Sequence, residues 1–114
     1  MAAGVEALEV WRSSPDRSSL ARSVVATAVR YSLEELAEVA PGGSVEVRVP
    51  PFAAVQCIEG ATHTRGTPPA VVETDAPTWI ALARGSLGWA EAVRDGRVVA
   101  SGERSDLSPH LPLV

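Results

Sequence analysis

The run Val45-Glu46-Val47-Arg48-Val49 alternates apolar and charged residues without a break. A period of two places the three valines on one face and Glu46 and Arg48 on the other, which is the pattern of a half-buried strand. Pro50-Pro51 follows, withdraws two backbone donors and ends it. Whatever this chain folds into must therefore cover a valine face with apolar side chains from elsewhere. The neighbouring run Ala-Ala-Val-Gln-Cys-Ile-Glu-Gly (53–60) reads as a second strand, and the short connection makes it an antiparallel neighbour. Ala-Val-Val-Glu-Thr (70–74) and Arg-Val-Val-Ala-Ser (97–101) read as the third and fourth.

Helical patterns supply the cover. Pro15-Asp16 opens the first, with Asp16 as N-cap and Leu20, Val24 and Ala28 on its apolar face. Ser32-Leu-Glu-Glu35 has capping-box spacing, so a second helix or a restart of the first begins there and stops at Pro41-Gly42-Gly43. Asp75 caps a third, with Pro77 in its first turn, where a missing N–H costs nothing. Its apolar face is Trp79, Leu82 and Ala83, and Gly85 closes it as a left-handed residue. Leu87, Ala90 and Val93 repeat the pattern up to Gly96. Ser105 stands as cap of a last short helix over 106–111, limited by Pro109 and Pro112. Residues 1–15 carry little signal beyond Leu8, Val10 and Trp11 and read as a lead-in to a single domain over 16–114. The expected fold class is α+β: a mainly antiparallel sheet of four to five strands, covered on one face by helices. The other face, with Glu46, Arg48 and Gln56, is expected to be solvated.

A chain of 114 residues holds one core. A formal charge of −4 gives no basic field, which argues against nucleic acid as a partner. All ten basic residues are arginine. Cys57 is the only cysteine, so a disulfide within the chain is impossible, and the reading is a cytoplasmic protein. The N-terminus lacks the apolar run of a signal peptide, and nothing approaches the ~20 apolar residues of a spanning helix, so stable membrane insertion is not expected.

The residues that could carry chemistry are few. His63 and His110 are the only histidines, and a zinc site needs three or four ligands. His63 would have to recruit Glu73 or Asp75, without any metal-ligand spacing to support it. Cys57 lies inside a strand between Val55 and Ile58, where a buried, inert thiol is the ordinary outcome. No Gly-x-Ser-x-Gly elbow occurs, and Gly42-Gly43 follows a helix instead of opening one, so neither a serine nucleophile nor a phosphate cradle is indicated. The polar stretch Thr62-His63-Thr64-Arg65 reads either as a rim of donors for an anionic head group or as a solvated loop, and Arg48 has the same two readings. Trp79 and Trp89 read either as core or as the wall of an apolar space left unfilled beneath the helices.

One resemblance sharpens this. The pattern formed by Leu82, Gly85, Leu87, Ala92, Gly96, Val98, Val99, Gly102 and Leu107 resembles the C-terminal half of sterol carrier protein-2-like domains. The likeness extends over roughly 16–111. The stretches RVPPFAAVQCIEG, HTRGTPP and VVETDAPTW look like small, stand-alone members from actinobacteria. The resemblance implies a five-stranded sheet with helices across one face, an apolar tunnel between them, and non-catalytic binding of lipids or fatty acyl groups without a cofactor. The lining residues it implies are Trp79, Leu82, Trp89, Val93, Leu107 and Leu111, with Arg48, His63 and Arg65 as polar candidates. Glu103 stands where the family often has Asp, and the last helix is cut short by prolines; these departures point away from sterol as the ligand. Similar modules also form the C-terminal domain of proteins like mycothiol-dependent maleylpyruvate isomerases, whose metal-binding histidines belong to a separate helical domain. The alternative reading is therefore an interaction or dimerisation module with a filled cavity, accessory to such an enzyme.

Overall fold

The valine face is covered by apolar side chains carried on more than one helix. In the computed structural model, residues 2–13, 22–59, 70–102 and 105–113 are described. Helix α1 (Ala2–Ser13) leads into α2 (Arg22–Val39), then strands β1 (Val45–Val49), β2 (Ala53–Cys57) and β3 (Ala70–Thr74). Helices α3 (Ala76–Arg84) and α4 (Trp89–Arg94) and strand β4 (Val98–Ser101) follow, and a 3-10 turn at Ser108–His110 ends the order. Among the described residues the sheet has four strands in the order β2-β1-β3-β4. β1 pairs antiparallel with β2, parallel with β3, and β3 pairs antiparallel with β4. The α+β class and mainly antiparallel sheet expected from the sequence are therefore what the chain forms, with one parallel pair at its centre.

Register follows from the period of two. Val45, Val47 and Val49 lie opposite Cys57, Val55 and Ala53, so all six share the core face. Across the parallel pair, Val47 meets Val72 on that same face. Val45, Val47, Val49, Cys57 and Val72 are essentially inaccessible to water, and they form one core with Val29, Leu33, Leu36, Trp79, Ile80 and Leu82. The opposite face carries Glu46, Arg48, Gln56 and Glu73, with Arg48, Gln56 and Glu73 exposed.

Three expectations change. Residues 2–13 are not a loose lead-in but a helix laid against α2, burying Ala7 and Leu8. Gly4 makes this possible, because a Cβ there would collide with the Tyr31 ring. Ser32 caps nothing: it sits in the middle of an unbroken α2, fully buried. The final helix shrinks to one 3-10 turn whose N-cap is Leu107, with no side-chain capping bond, so Ser105 does not cap it; Asp106, just before it, accepts the Ser108 N–H at 2.9 Å. Pro109 lies within that turn and Pro112 just after it, so no longer helix can propagate. The cap expected at Asp16 lies outside the described residues.

Candidate functional site

The segment 75–113 is built from local signals that act as the sequence indicated. Asp75 has extended backbone geometry and accepts the Thr78 N–H at 2.8 Å, which fixes the start of α3. Gly85 ends α3 at φ +82°, its N–H turned back to the Leu82 carbonyl at 3.2 Å while the Ser86 N–H reaches Ala81 at 3.0 Å. Gly88 then starts α4, and Gly96, at φ +73°, stops it. The chain's last residues fold back on this turn. The Leu113 N–H donates to the Ala83 carbonyl at 2.7 Å, and Pro112 lies over Gly85, where an added Cβ would come within 3.1 Å of it.

Between the α3–α4 turn and this returning tail lies a groove of about 160 Å³, lined by Leu82, Leu87, Trp89, Leu111 and Pro112 with Gly85, Gly88 and Ser108. Its wall is apolar apart from Ser108. Trp89 and Leu111 are half-buried and Leu82 is buried to 1% exposure, so the groove has an apolar floor and adjustable sides. Such a groove takes an apolar group by burial alone.

The expected site residues separate into distinct places. Leu82, Trp89 and Leu111 meet at the groove. Leu107 is fully buried close by in the chain, as part of the core. Trp79 is also fully buried and does not line the groove; its indole Nε1–H donates to Ser32 Oγ at 2.9 Å, and the Ser32 hydroxyl in turn donates to the Ala28 carbonyl at 2.7 Å. Val93, one turn beyond Trp89, is 42% exposed and lies outside the groove. Arg48 is on the far face of the sheet, because strand alternation puts it opposite Ala54 and Glu73 and away from the helices. There its guanidinium pairs with Glu46 at 3.1 Å, and that hydrogen bond, with Glu73 nearby, favours its charged form. A more open depression of about 320 Å³ runs beside it, lined by Glu46, Pro50, Pro51 and Phe52 among others. Arg48, the cation among its described lining residues, is already paired. His63 and Arg65 lie outside the described residues.

Sequence reasoning did not find Leu87 or Pro112 as groove residues. The tail Leu111-Pro112-Leu113, apolar and proline-stiffened at the end of a chain, was the signal available for it. Cys57 is wholly inaccessible, and burial pushes its thiol up to about 11, so it stays protonated at neutral pH. Among the described residues no three His, Cys, Asp or Glu side chains gather as a metal site, and no helix is long and apolar enough to cross a membrane.

A family model described as bacterial SCP ortholog matches residues 21–113, from the start of α2 to the tail that closes the groove. No curated protein matches the chain.

Proposed function

The chain belongs to the bacterial SCP ortholog family, and from that premise we propose that it is a non-catalytic carrier for a small apolar or amphipathic molecule of fatty acyl or lipid type. The observation that carries this reading is the apolar groove around Trp89 and Leu111, between the α3–α4 turn and the returning tail. At about 160 Å³ it is well below the ~300–1,000 Å³ of ordinary small-molecule pockets. The end of a flexible chain suits it, and a rigid ring system does not. The Leu87, Trp89 and Leu111 side chains are the ones that would rotate to admit more.

The test is a fluorescence titration with fatty acids, acyl-CoA and isoprenoids. Trp79 is sealed in the core, and both it and Trp11 are common to wild type and the Trp89→Phe variant, so their emission cancels in the comparison. Trp89 should give a saturable blue shift as its remaining exposed surface is covered. Trp89→Phe should remove the shift, and Leu111→Asp should weaken binding of a labelled fatty acid by tenfold or more, about 1.4 kcal/mol. No saturable response to any of the three classes, together with no organic-extractable cargo on protein purified from its host, defeats the carrier reading.

Full burial of Trp79 supports a second reading. With the indole filling the space under the helices, the domain would act as an interaction module, accessory to a separate helical metalloenzyme. Retention of such a partner by protein that answers none of the titrations would favour it.

A further inference from the structure

One wall of the α3–α4 groove is not a helix or a strand but the extended segment that follows the 3-10 turn at Ser108–His110. We propose that residues 111–113 are a strap over the groove, which lifts from the end of α3 to admit an acyl chain and closes again on it. The proposal rests on the carrier reading and adds how that site is opened.

The strap has a firm root and a light hold. Leu107, just before the turn, is fully buried in the core. The turn is tied locally, with the His110 N–H donating to the Leu107 carbonyl at 2.9 Å and Asp106 accepting the Ser108 N–H at 2.9 Å. Beyond it burial falls away: Leu111 and Leu113 are half-buried and Pro112 is exposed. Pro112 has no N–H to donate. The Leu113 N–H reaches the Ala83 carbonyl at 2.7 Å, and among the described residues this is the backbone hydrogen bond that fastens the segment to another element. Shallow burial and a single tether mark a segment that opens without global unfolding.

The acceptor lets the strap open at little cost. Ala83 lies in the last turn of α3, where carbonyls have no partner within the helix. The N–H groups of Gly85 and Ser86 turn back to Leu82 and Ala81, which leaves the Ala83 carbonyl to the strap. Gly85 and Ser86 are exposed, so water takes over that carbonyl when Leu113 lets go. Lifting removes Leu111 and Pro112 from the wall and leaves the Leu82 floor with Leu87 and Trp89 to receive the chain. This accounts for a closed groove of about 160 Å³ in a carrier, small against the ~300–1,000 Å³ of ordinary ligand pockets.

A reversible lock tests it. A Cβ added at Gly85 lies 3.1 Å from the Pro112 Cβ, close to the roughly 3.5–4.5 Å that a disulfide spans. Gly85→Cys combined with Pro112→Cys therefore pins the strap when oxidised, and the left-handed backbone at position 85 burdens the oxidised and reduced forms alike. Cys57 is fully buried and takes no part. In stopped-flow mixing with a dansyl-labelled fatty acid, the oxidised form should bind slower by roughly tenfold or more, and dithiothreitol should restore the rate. Leu113→Pro removes the tether without a cross-link and should speed both binding and release. Amide exchange on ligand-free wild type gives an independent readout. The Leu113 amide should exchange about tenfold or more faster than that of Val47 in the sheet, at a rate that low urea leaves unchanged. An oxidised form that binds as fast as the reduced one overturns the strap. So does a Leu113 amide that exchanges only with global unfolding, whether or not any fatty acid binds. Wild type that binds no fatty acid while its Leu113 amide opens locally defeats the carrier reading, and the gating role falls with it while the opening itself stands.

Discussion

At the residue scale, Ser32 shows where local spacing and tertiary need diverge. Ser-x-x-Glu before an apolar run is a sound helix-start signal, yet the chain continues as helix through it. What holds a serine in this buried position is an indole N–H from 47 residues away in the sequence, and no local pattern contains that information. Trp79 fills the core only if its one donor is satisfied, and Ser32 Oγ is the acceptor. Ser32→Ala should therefore cost about 1–3 kcal/mol, since it leaves a buried donor without a partner. Trp79→Phe loses the same bond together with volume. In the double variant the serine no longer matters to the ring, so urea unfolding should find the two costs sub-additive by about 1 kcal/mol. Strict additivity would mean that the bond contributes nothing and that burial alone retains the tryptophan.

At the element scale, the parts of the fold that announce themselves are those with self-contained chemistry. The β1–β2 hairpin was legible from alternation and prolines, and α3 from Asp75, Pro77 and Gly85, because each signal is satisfied within a few residues. Helix α1 was not legible. Its Ala7 and Leu8 are buried only because α2 lies beside them, and a glycine in a helix interior ordinarily counts against the helix by ~1 kcal/mol. Here Gly4 is what lets the two helices touch over Tyr31. Gly4→Ala should consequently fail to stabilise α1 despite the better propensity. The added methyl would push α1 off Tyr31, and amide exchange should quicken across Ala2–Ser13 while the sheet keeps its protection. Slower exchange in α1 with unchanged NMR shifts of the Tyr31 ring would show that the helices are less closely packed than this.

At the scale of the whole molecule, the sequence reading placed the side chains of β1 on the correct faces, but it could not say which faces of different elements converge. Arg48 and the tryptophans were candidates for one site, and the sheet itself stands between them. Trp79 and Trp89, ten residues apart on successive helices, divide into core and groove because the turn at Gly85 reorients the second helix. The same burial that closes the core gives the folded chain a specific pH response. Cys57 in β2 has its thiol held at about 11, against roughly 8.5 in an unfolded chain. Between these values the unfolded state binds fewer protons than the native state, so unfolding free energy falls as pH rises. The contribution is fully present below about pH 8.5 and is lost as pH climbs through 11, a change on the order of 3 kcal/mol. The chain has no lysine to add its own titration in this window. Its single tyrosine is common to wild type and variant and cancels in their comparison. Cys57→Ala should start less stable at neutral pH, by about 1 kcal/mol for the small cavity, and then decline less on the alkaline side. Stability curves for the two proteins should therefore converge and cross between pH 8.5 and 11. Parallel curves would mean that water reaches the thiol and that this end of β2 is open.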